Sequence, residues 1–194
     1  MNNLPHIVLA SKSPRRRELL TMLGVTDFEI IPAASEVEFP ADIHPGDAAI
    51  AVALGKAEEI APRAPKGAIV LAADTVVSLD GRILEKPADE DEAFAMLSAL
   101  SGRSHTVYSG VVLIMGDKKL CRYEATDVLF RTIGDDEIRR YIATGEPMDK
   151  AGAYGAQGIA SVFIERIDGD FFNVVGLPLC TLGKMFDELG FGII

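Results

Sequence analysis

The stretch AIVLAADTVVSLDGRILEKP, residues 68–87, contains the apolar strand and the hairpin that decide the fold of this chain. Its apolar first half predicts a strand, and Asp80-Gly81 predicts a tight hairpin turn before a short return strand. Upstream, the apolar run IVLA at residues 7–10 precedes a helical pattern, so this strand is available for parallel pairing. Strands of both kinds, with helices between them, predict an α/β protein with a mixed sheet.

The remaining elements follow from apolar spacing and turn residues. A helix beginning at Asp89 has a capping-box pattern, Asp89-x-x-Glu92. Further helices are predicted at 47–60, 135–143 and 180–189, an antiparallel pair at 106–115 and 120–132, and a hairpin of strands 161–167 and 171–175. A chain of 194 residues of this kind predicts one domain spanning 1–194.

Composition excludes several classes of partner. The formal net charge of −10 argues against a nucleic-acid polymer as the main partner, because such binders carry basic surfaces. No apolar run has the length that a membrane span needs, and the N-terminus shows no secretory signal. Cys121 and Cys180 lack metal-ligand spacing. These features predict a soluble cytoplasmic chain with reduced thiols.

SKSPRRRELL, residues 11–20, places three arginines at the start of a helix. Ser13 is the expected N-cap and Pro14 the first helical residue. The helix macrodipole already disfavours cations there, so the arginines are either a solvated patch or part of an anion site. Free amides, hydroxyls and guanidinium groups together favour an anion site, with phosphate as the expected ligand.

Asp74 interrupts an otherwise apolar strand. A buried, unpaired carboxylate is costly, so Asp74 either bonds to nearby amides or faces a cleft as a general base or ligand of a hard cation. Lys56 and Lys86, taken alone, are ordinary surface lysines, and Glu36 and Glu38 ordinary loop acids. They gain meaning only if the fold brings them to Asp74.

GEPMDKAGAYGAQG, residues 145–158, has four glycines and predicts an ordered loop that approaches a ligand closely. A tolerant surface connection is the alternative. The Gln157 amide offers both a donor and an acceptor, which suits the edge of a nucleobase. Tyr154 could pack on a base or in the core.

Together these segments resemble the Maf family of nucleoside triphosphate pyrophosphatases. The resemblance rests on five ordered motifs: LASKSPRRRELL, ADTVVSLDGRILEKP, LSGRSHTVYSGV, GEPMDKAGAYGAQG and IDGDFFNVVGLPL. It implies the fold shared with inosine triphosphate pyrophosphatases, with two lobes around a nucleotide cleft. DKAGAYG with the following Gln, and FNVVGLP, resemble the branch that acts on dTTP and UTP.

The resemblance also implies roles for individual residues. Asp74 would be the proton acceptor, and a divalent cation, Mg²⁺ or Mn²⁺, would bind Asp74 and Glu36, with Glu38 the open alternative to Glu36. The implied substrate-binding residues are Ser13, Arg15, Arg16, Lys56, Thr75, Lys86 and Gln157. Further implications are a homodimer, possible action on modified pyrimidine nucleotides and a link to septum formation.

Two rival functions stay open at this stage. A nucleotide-sensing regulator of septum formation and cell division could use the same arginines without turnover. A kinase or nucleotidyltransferase could use the same phosphate site. The Walker interpretation of Gly55-Lys56 fails, because Ile50 and Ala57 stand where that motif needs Gly and Ser or Thr.

Overall fold

The computed structural model describes residues 4–34, 37, 39–40 and 42–193. The strands are β1 (Ile7–Leu9), β2 (Phe28–Ile30), β3 (Ile69–Leu79), β4 (Arg82–Leu84), β5 (Ser104–Met115), β6 (Lys118–Phe130) and β7 (Ile164–Asp168). The helices are α1 (Pro14–Met22), α2 (Pro45–Ile60), α3 (Glu90–Leu100), α4 (Asp135–Ile142), α5 (Phe171–Val175) and α6 (Leu179–Leu189).

The described strands form one mixed sheet. Its order is β2-β1-β3-β5-β6-β7, and β4 also pairs with β3. β1 runs parallel to both β2 and β3. The pairs β3–β5, β5–β6 and β6–β7 are antiparallel. The predicted mixed α/β class is therefore confirmed.

Local sequence signals fix several of these elements. Asp80 and Gly81 have φ values of 52° and 80°, which is the geometry that an Asp-Gly hairpin turn requires. The Ser13 side chain accepts a hydrogen bond from the Arg16 N–H, which caps α1 as predicted. Asp89 caps α3 in the same way. These turns and caps depend on neighbours in sequence, which is why they are predictable.

The predicted hairpin of 161–167 with 171–175 is wrong. Residues 159–163 form a 3₁₀ turn before β7, and residues 171–175 are the short helix α5. Asp170 caps this helix, and the buried Asn173 amide donates to Val107 O at 2.9 Å and to Thr126 Oγ1 at 3.0 Å. A five-residue apolar run does not distinguish strand from helix, and these tertiary bonds select the helix.

The core is divided between the two ends of the long strands. At one end, residues 69–73 of β3 pack against α1 and α6 on one face and against α2 on the other. At the other end, Val77 and Leu79 pack with α3, α4 and the segment around Phe163. This division agrees with the predicted two lobes, and Asp74 and Thr75 lie between them.

The helices and the two cysteines bear on the expectations drawn from composition. Among the residues that the structure describes, no helix combines the length and apolarity needed to cross a membrane. Cys121 and Cys180 are both free thiols, as predicted. Burial raises the pKa of the Cys121 thiol, so it is protonated at neutral pH.

His105 should make folding stability depend on pH. Its ring is 3% exposed, contacts Phe130 and shares a 2.7 Å hydrogen bond with the Tyr154 hydroxyl. Burial lowers the pKa of His105 from 6.5 to about 4, although Asp127 opposes this shift. Between these values the unfolded chain binds the additional proton, so acidification favours unfolding. A contribution of about 3 kcal/mol to the unfolding free energy is present above pH 6.5 and is lost by about pH 4.

Urea unfolding of the parent chain and His105→Gln at several pH values would measure this contribution. Glutamine keeps a polar partner for Tyr154 but does not titrate. The unfolding free energy of the variant should therefore fall less steeply between pH 6.5 and 4. Equal slopes in the two proteins would show that His105 is not held neutral by the fold.

Candidate active site

A cleft opens where β3 changes its partner along one edge. β1 pairs with residues 69–71 and β4 with residues 77–79. Between them, no described strand pairs with this edge, so the backbone around Asp74 and Thr75 borders open space. Successive strand residues point to opposite faces, so Asp74 points towards α2 and Thr75 towards α1.

Asp74 forms an ion pair with Lys56 of α2. Lys56 Nζ lies 2.6 Å from Asp74 Oδ1, and the two side chains are only 22% and 21% exposed. The helix lies close to the sheet because Gly110, directly opposite Asp74 on β5, has no side chain. A Cβ on Gly110 would lie 2.4 Å from the carbonyl carbon of Ala49 in α2. The Lys56–Asp74 pair therefore depends on a glycine in the neighbouring strand.

Arg16 joins the start of α1 to the floor of the cleft. Its Nε donates to Gly176 O at 2.9 Å, Nη1 to Ser11 Oγ at 3.1 Å and Nη2 to Thr75 Oγ1 at 3.2 Å. Burial lowers the pKa of Arg16, and the nearby Asp74 carboxylate partly opposes this shift. The guanidinium nevertheless stays charged, as it does in proteins generally. All three nitrogens thus contact the protein itself, and Arg16 holds α1 in place as well as adding positive charge.

Thr75 belongs to a hydrogen-bond chain behind the cleft. Ser109 Oγ donates to Asn173 O at 2.9 Å and also lies 2.8 Å from Thr75 Oγ1. Because a serine hydroxyl has one proton, Thr75 must donate to Ser109 while accepting from Arg16. The hydroxyl proton of Thr75 therefore points into the protein, and this chain fixes the side-chain orientation at the cleft floor.

The glycine-rich loop also lines the cleft. Lys150 Nζ donates to Glu146 O at 2.8 Å and to Asp149 Oδ1 at 2.6 Å, and only 13% of its side chain is exposed. Lys150 lowers the pKa of Asp149 through this hydrogen bond. Tyr154 is buried and packs against Phe130, so the core alternative is the correct one for its ring, although it also lines the cleft. Gln157 is exposed at the loop tip.

The cleft has a strong excess of positive charge. It encloses about 460 Å³. Among the described residues that line it, the cationic side chains outnumber the two carboxylates, Asp74 and Asp149; the cations are Lys12, Arg15, Arg16, Lys56, Lys86 and Lys150. Arg15 and Lys86 form no ion pair with another described residue. In a chain of net charge −10, this local excess favours a polyanionic ligand.

The structure brings nearly all predicted site residues together. The residues that line this one cleft are Ser13, Arg15, Arg16, Lys56, Asp74, Thr75, Lys86 and Gln157. Glu36 and Glu38 lie outside the described residues. Asp74 is therefore the one member of the predicted metal pair that the structure describes. Within the described ranges, no group of three or more metal-binding side chains occurs.

Sequence reasoning missed several residues that shape this cleft. Lys150 lies in the loop predicted at residues 145–158, but an isolated lysine gives no signal that its side chain is buried. Gly110 and Ser109 lie in a strand where nothing in the sequence shows what packs on them. A small polar residue and a glycine inside the apolar strand β5 were the available signal, since glycine in a strand often marks close backbone approach.

The fold and the cleft together define a mixed α/β protein with a cationic site for a polyanion. The chain belongs to the Maf-like protein family, which matches residues 6–189. It is 47% identical over 190 residues to a protein named dTTP/UTP pyrophosphatase from Symbiobacterium thermophilum, with 98% of this chain and 97% of the relative covered. A protein of the same name from Thermococcus kodakarensis is 48% identical over 188 residues, with 97% and 98% covered.

A more distant likeness exists among solved structures. A HAM1 protein from Coxiella burnetii aligns over 95% of this chain and 100% of its own, with a TM-score of 0.49 and 18% identity. This likeness is too weak to bear on function.

Proposed function

We propose that this chain hydrolyses dTTP and UTP to the nucleoside monophosphate and pyrophosphate. The observation that carries the proposal is a cationic cleft in which the Asp74 carboxylate, bound to Lys56, lies where no described strand pairs with the edge of β3. The relatives named dTTP/UTP pyrophosphatase, which align over nearly the whole chain, support the substrate class. Electrostatic positioning of a triphosphate is the main task of a phosphoryl-transfer site.

The start of α1 is the expected triphosphate site. The helix N-terminus offers backbone N–H groups and a favourable dipole, and Arg15 stands beside it without an ion-pair partner among the described residues. Lys86 also lines the cleft. Arg15 and Lys86, which form no ion pair with a described residue, can exchange solvent for phosphate oxygens, whereas Arg16 is already bonded to the protein.

Asp74 is the proposed proton acceptor. Water attacks the α-phosphorus, the bond from that phosphorus to the bridging oxygen breaks, and pyrophosphate leaves. The proton of the attacking water passes to Asp74, while Lys56, 2.6 Å away, orients the carboxylate. The other described carboxylate that lines the cleft, Asp149, is bound to the neighbouring Lys150 and is largely exposed, whereas the Asp74 side chain is only 21% exposed.

The residues present also fit a divalent cation. Lys56 engages Oδ1 of Asp74, and Oδ2 has no hydrogen-bond partner among the described residues. Mg²⁺ commonly binds one or two carboxylates and completes its shell with water and substrate phosphates, so a cage of three protein ligands is not required. Asp74, together with Glu36 or Glu38, would hold the ion. Once bound, it would polarise the phosphoryl group under attack.

Pyrophosphate release from a nucleotide panel tests the proposal. The panel contains UTP, dTTP, CTP, GTP and 7-methyl-GTP, each with Mg²⁺, with Mn²⁺ or with a chelator. Metal-dependent turnover of UTP and dTTP is expected. Nucleotide binding without turnover of any member would instead favour the non-catalytic regulator, and transfer of phosphate to another molecule would favour the kinase or nucleotidyltransferase.

Gln157→Ala should reduce the preference for UTP over CTP. The Gln157 amide can accept from N3–H and donate to O4 of uracil or thymine, whereas cytosine has an acceptor at N3 and an amino donor at position 4, so both pairs are mismatched for an amide held in one orientation. Loss of this contact should reduce the ratio of kcat/KM for UTP to that for CTP by about tenfold. An unchanged ratio would remove Gln157 from substrate selection and leave its role in the loop structural.

Three finer features are part of the same proposal. A homodimer would have twice the chain mass of 20.8 kDa, which light scattering coupled to gel filtration would measure. A cytoplasmic location follows from a nucleotide substrate and free thiols. Modified pyrimidine triphosphates can be added to the same panel, because the proposed contact is with the base edge.

A further inference from the structure

The Glu146 carboxylate connects the two ends of the loop that carries Gln157. Its Oε2 accepts a hydrogen bond from the Ile159 N–H at 2.9 Å, and its Oε1 accepts one from the Ala160 N–H at 3.4 Å. Glu146 begins the loop and Ile159 follows it. One side chain therefore joins the two ends of a loop of more than ten residues. The end that it binds, at Ile159, comes two residues after Gln157.

Gly158 leaves the space in which this carboxylate lies. A Cβ on Gly158 would lie 2.2 Å from Glu146 Oε1 and 2.5 Å from Oε2. No side chain could replace the glycine without moving the carboxylate. The glycine next to Gln157 thus serves the packing of Glu146 against the loop.

Tyr141 of α4 binds the same carboxylate. The buried Tyr141 hydroxyl donates to Glu146 Oε1 at 3.0 Å. Burial, and next the hydrogen bond to Glu146, raise the pKa of Tyr141 well above its usual value, so the phenol remains a donor. Glu146 is therefore held by a rigid helix on one side while it holds the loop on the other.

The connected segment is a tight turn with Gln157 in its second half. The Gly158 N–H donates to Gly155 O at 3.0 Å, which closes a turn over residues 155–158. At its start, the Lys150 side chain covers Gly155 so closely that a Cβ there would lie 2.8 Å from Lys150 Cε. Both ends of the turn are fixed, and Glu146 fixes the end adjacent to Gln157.

We propose that Glu146 is a positioning residue for nucleobase selection, because it clamps the end of the turn that presents Gln157 to the cleft. The inference rests on the proposed function, in which Gln157 contacts the base. Glu146 lies outside the residues that line the cleft, so its effect on selection is indirect. Without the clamp, the donor and acceptor of Gln157 would no longer hold one direction.

Glu146→Gln tests this role with little change in size. A glutamine keeps one acceptor oxygen but replaces the other with an amide group, which cannot accept from a backbone N–H. One of the two hydrogen bonds from Ile159 N–H and Ala160 N–H is therefore lost. The ratio of kcat/KM for UTP to that for CTP should fall by about tenfold, mainly through KM for UTP. Glu165→Gln, the same substitution at an exposed site of β7, should leave the ratio unchanged.

The outcomes separate this inference from the proposed function. If Gln157→Ala lowers the ratio and Glu146→Gln does not, the clamp is wrong and the proposed function stands. If the parent chain does not prefer UTP to CTP, the proposed base selection fails, and the role of Glu146 fails with it. Should Glu146→Gln fold poorly, Tyr141→Phe removes the hydrogen bond to Glu146, together with the bond that the same hydroxyl makes with the Gly155 backbone, and should lower the ratio in the same direction.

Discussion

Asp74→Asn is expected to lower kcat for UTP by about 1,000-fold, because the variant loses the proposed proton acceptor at unchanged side-chain size. Asparagine still offers an oxygen to Lys56 Nζ, which lies 2.6 Å from Oδ1, so α2 keeps its contact with β3. Loss of turnover without loss of folding is the expected combination. Steady-state pyrophosphate release and thermal unfolding of the same preparation would measure both.

The matched control is Asp80→Asn, the same substitution at the hairpin turn that ends β3. Asp80 is exposed, with φ of 52°, a conformation that asparagine also tolerates. Turnover should be unchanged in this variant. If Asp74→Asn retained the turnover of the parent chain, Asp74 would be a structural carboxylate paired with Lys56, and the proton acceptor would have to be another group.

Gly110→Ala should give the largest loss of stability among single methyl additions in the sheet. The added Cβ would lie 2.4 Å from Ala49 C and 2.5 Å from Ile50 N, which are backbone atoms of α2 and cannot rotate away. The helix or the strand must shift, at a cost of about 3 kcal/mol in unfolding free energy. For a chain of this size, this corresponds to a fall in Tm of about 6–12 °C.

The same shift should reach the active site. Gly110 lies directly opposite Asp74, and α2 carries Lys56 to that carboxylate. Turnover of UTP should therefore fall even at temperatures where Gly110→Ala remains folded. Gly183→Ala in α6 is the matched control: outside the adjoining backbone of its own helix, no described atom lies within 4 Å of its added Cβ, and alanine favours a helix. A Tm for Gly110→Ala equal to that of Gly183→Ala would contradict the close approach of α2.

Local sequence rules were sufficient for most of the elements. Ser13 before Pro14 and Asp80 before Gly81 act through neighbours one to three residues away, and the structure has the cap and the turn that they predicted. The isolated carboxylate of Asp74 also gave correct information, because a charge inside an apolar strand must find a partner or a cleft. In this protein it has both.

Tertiary structure decided how these elements combine. Residues 171–175 became a helix because Asn173 bonds to β5 and β6. Arg16 was expected near the phosphates, and the structure adds contacts with Gly176, more than 100 residues away, and with Thr75. Such contacts depend on which strand pairs with which, and short sequence patterns contain no information about pairing partners.

The sequence by itself determined where this chain forms most of its strands, helices, turns and caps, and it marked Asp74 and the arginine-rich helix start as unusual. Only the tertiary structure decided that β3 exchanges β1 for β4 beside Asp74, and that Gly110 admits α2 so that Lys56 reaches this carboxylate. The physical reason is range. Propensity and capping act within one helical turn, whereas the cleft depends on packing between segments that are distant in sequence.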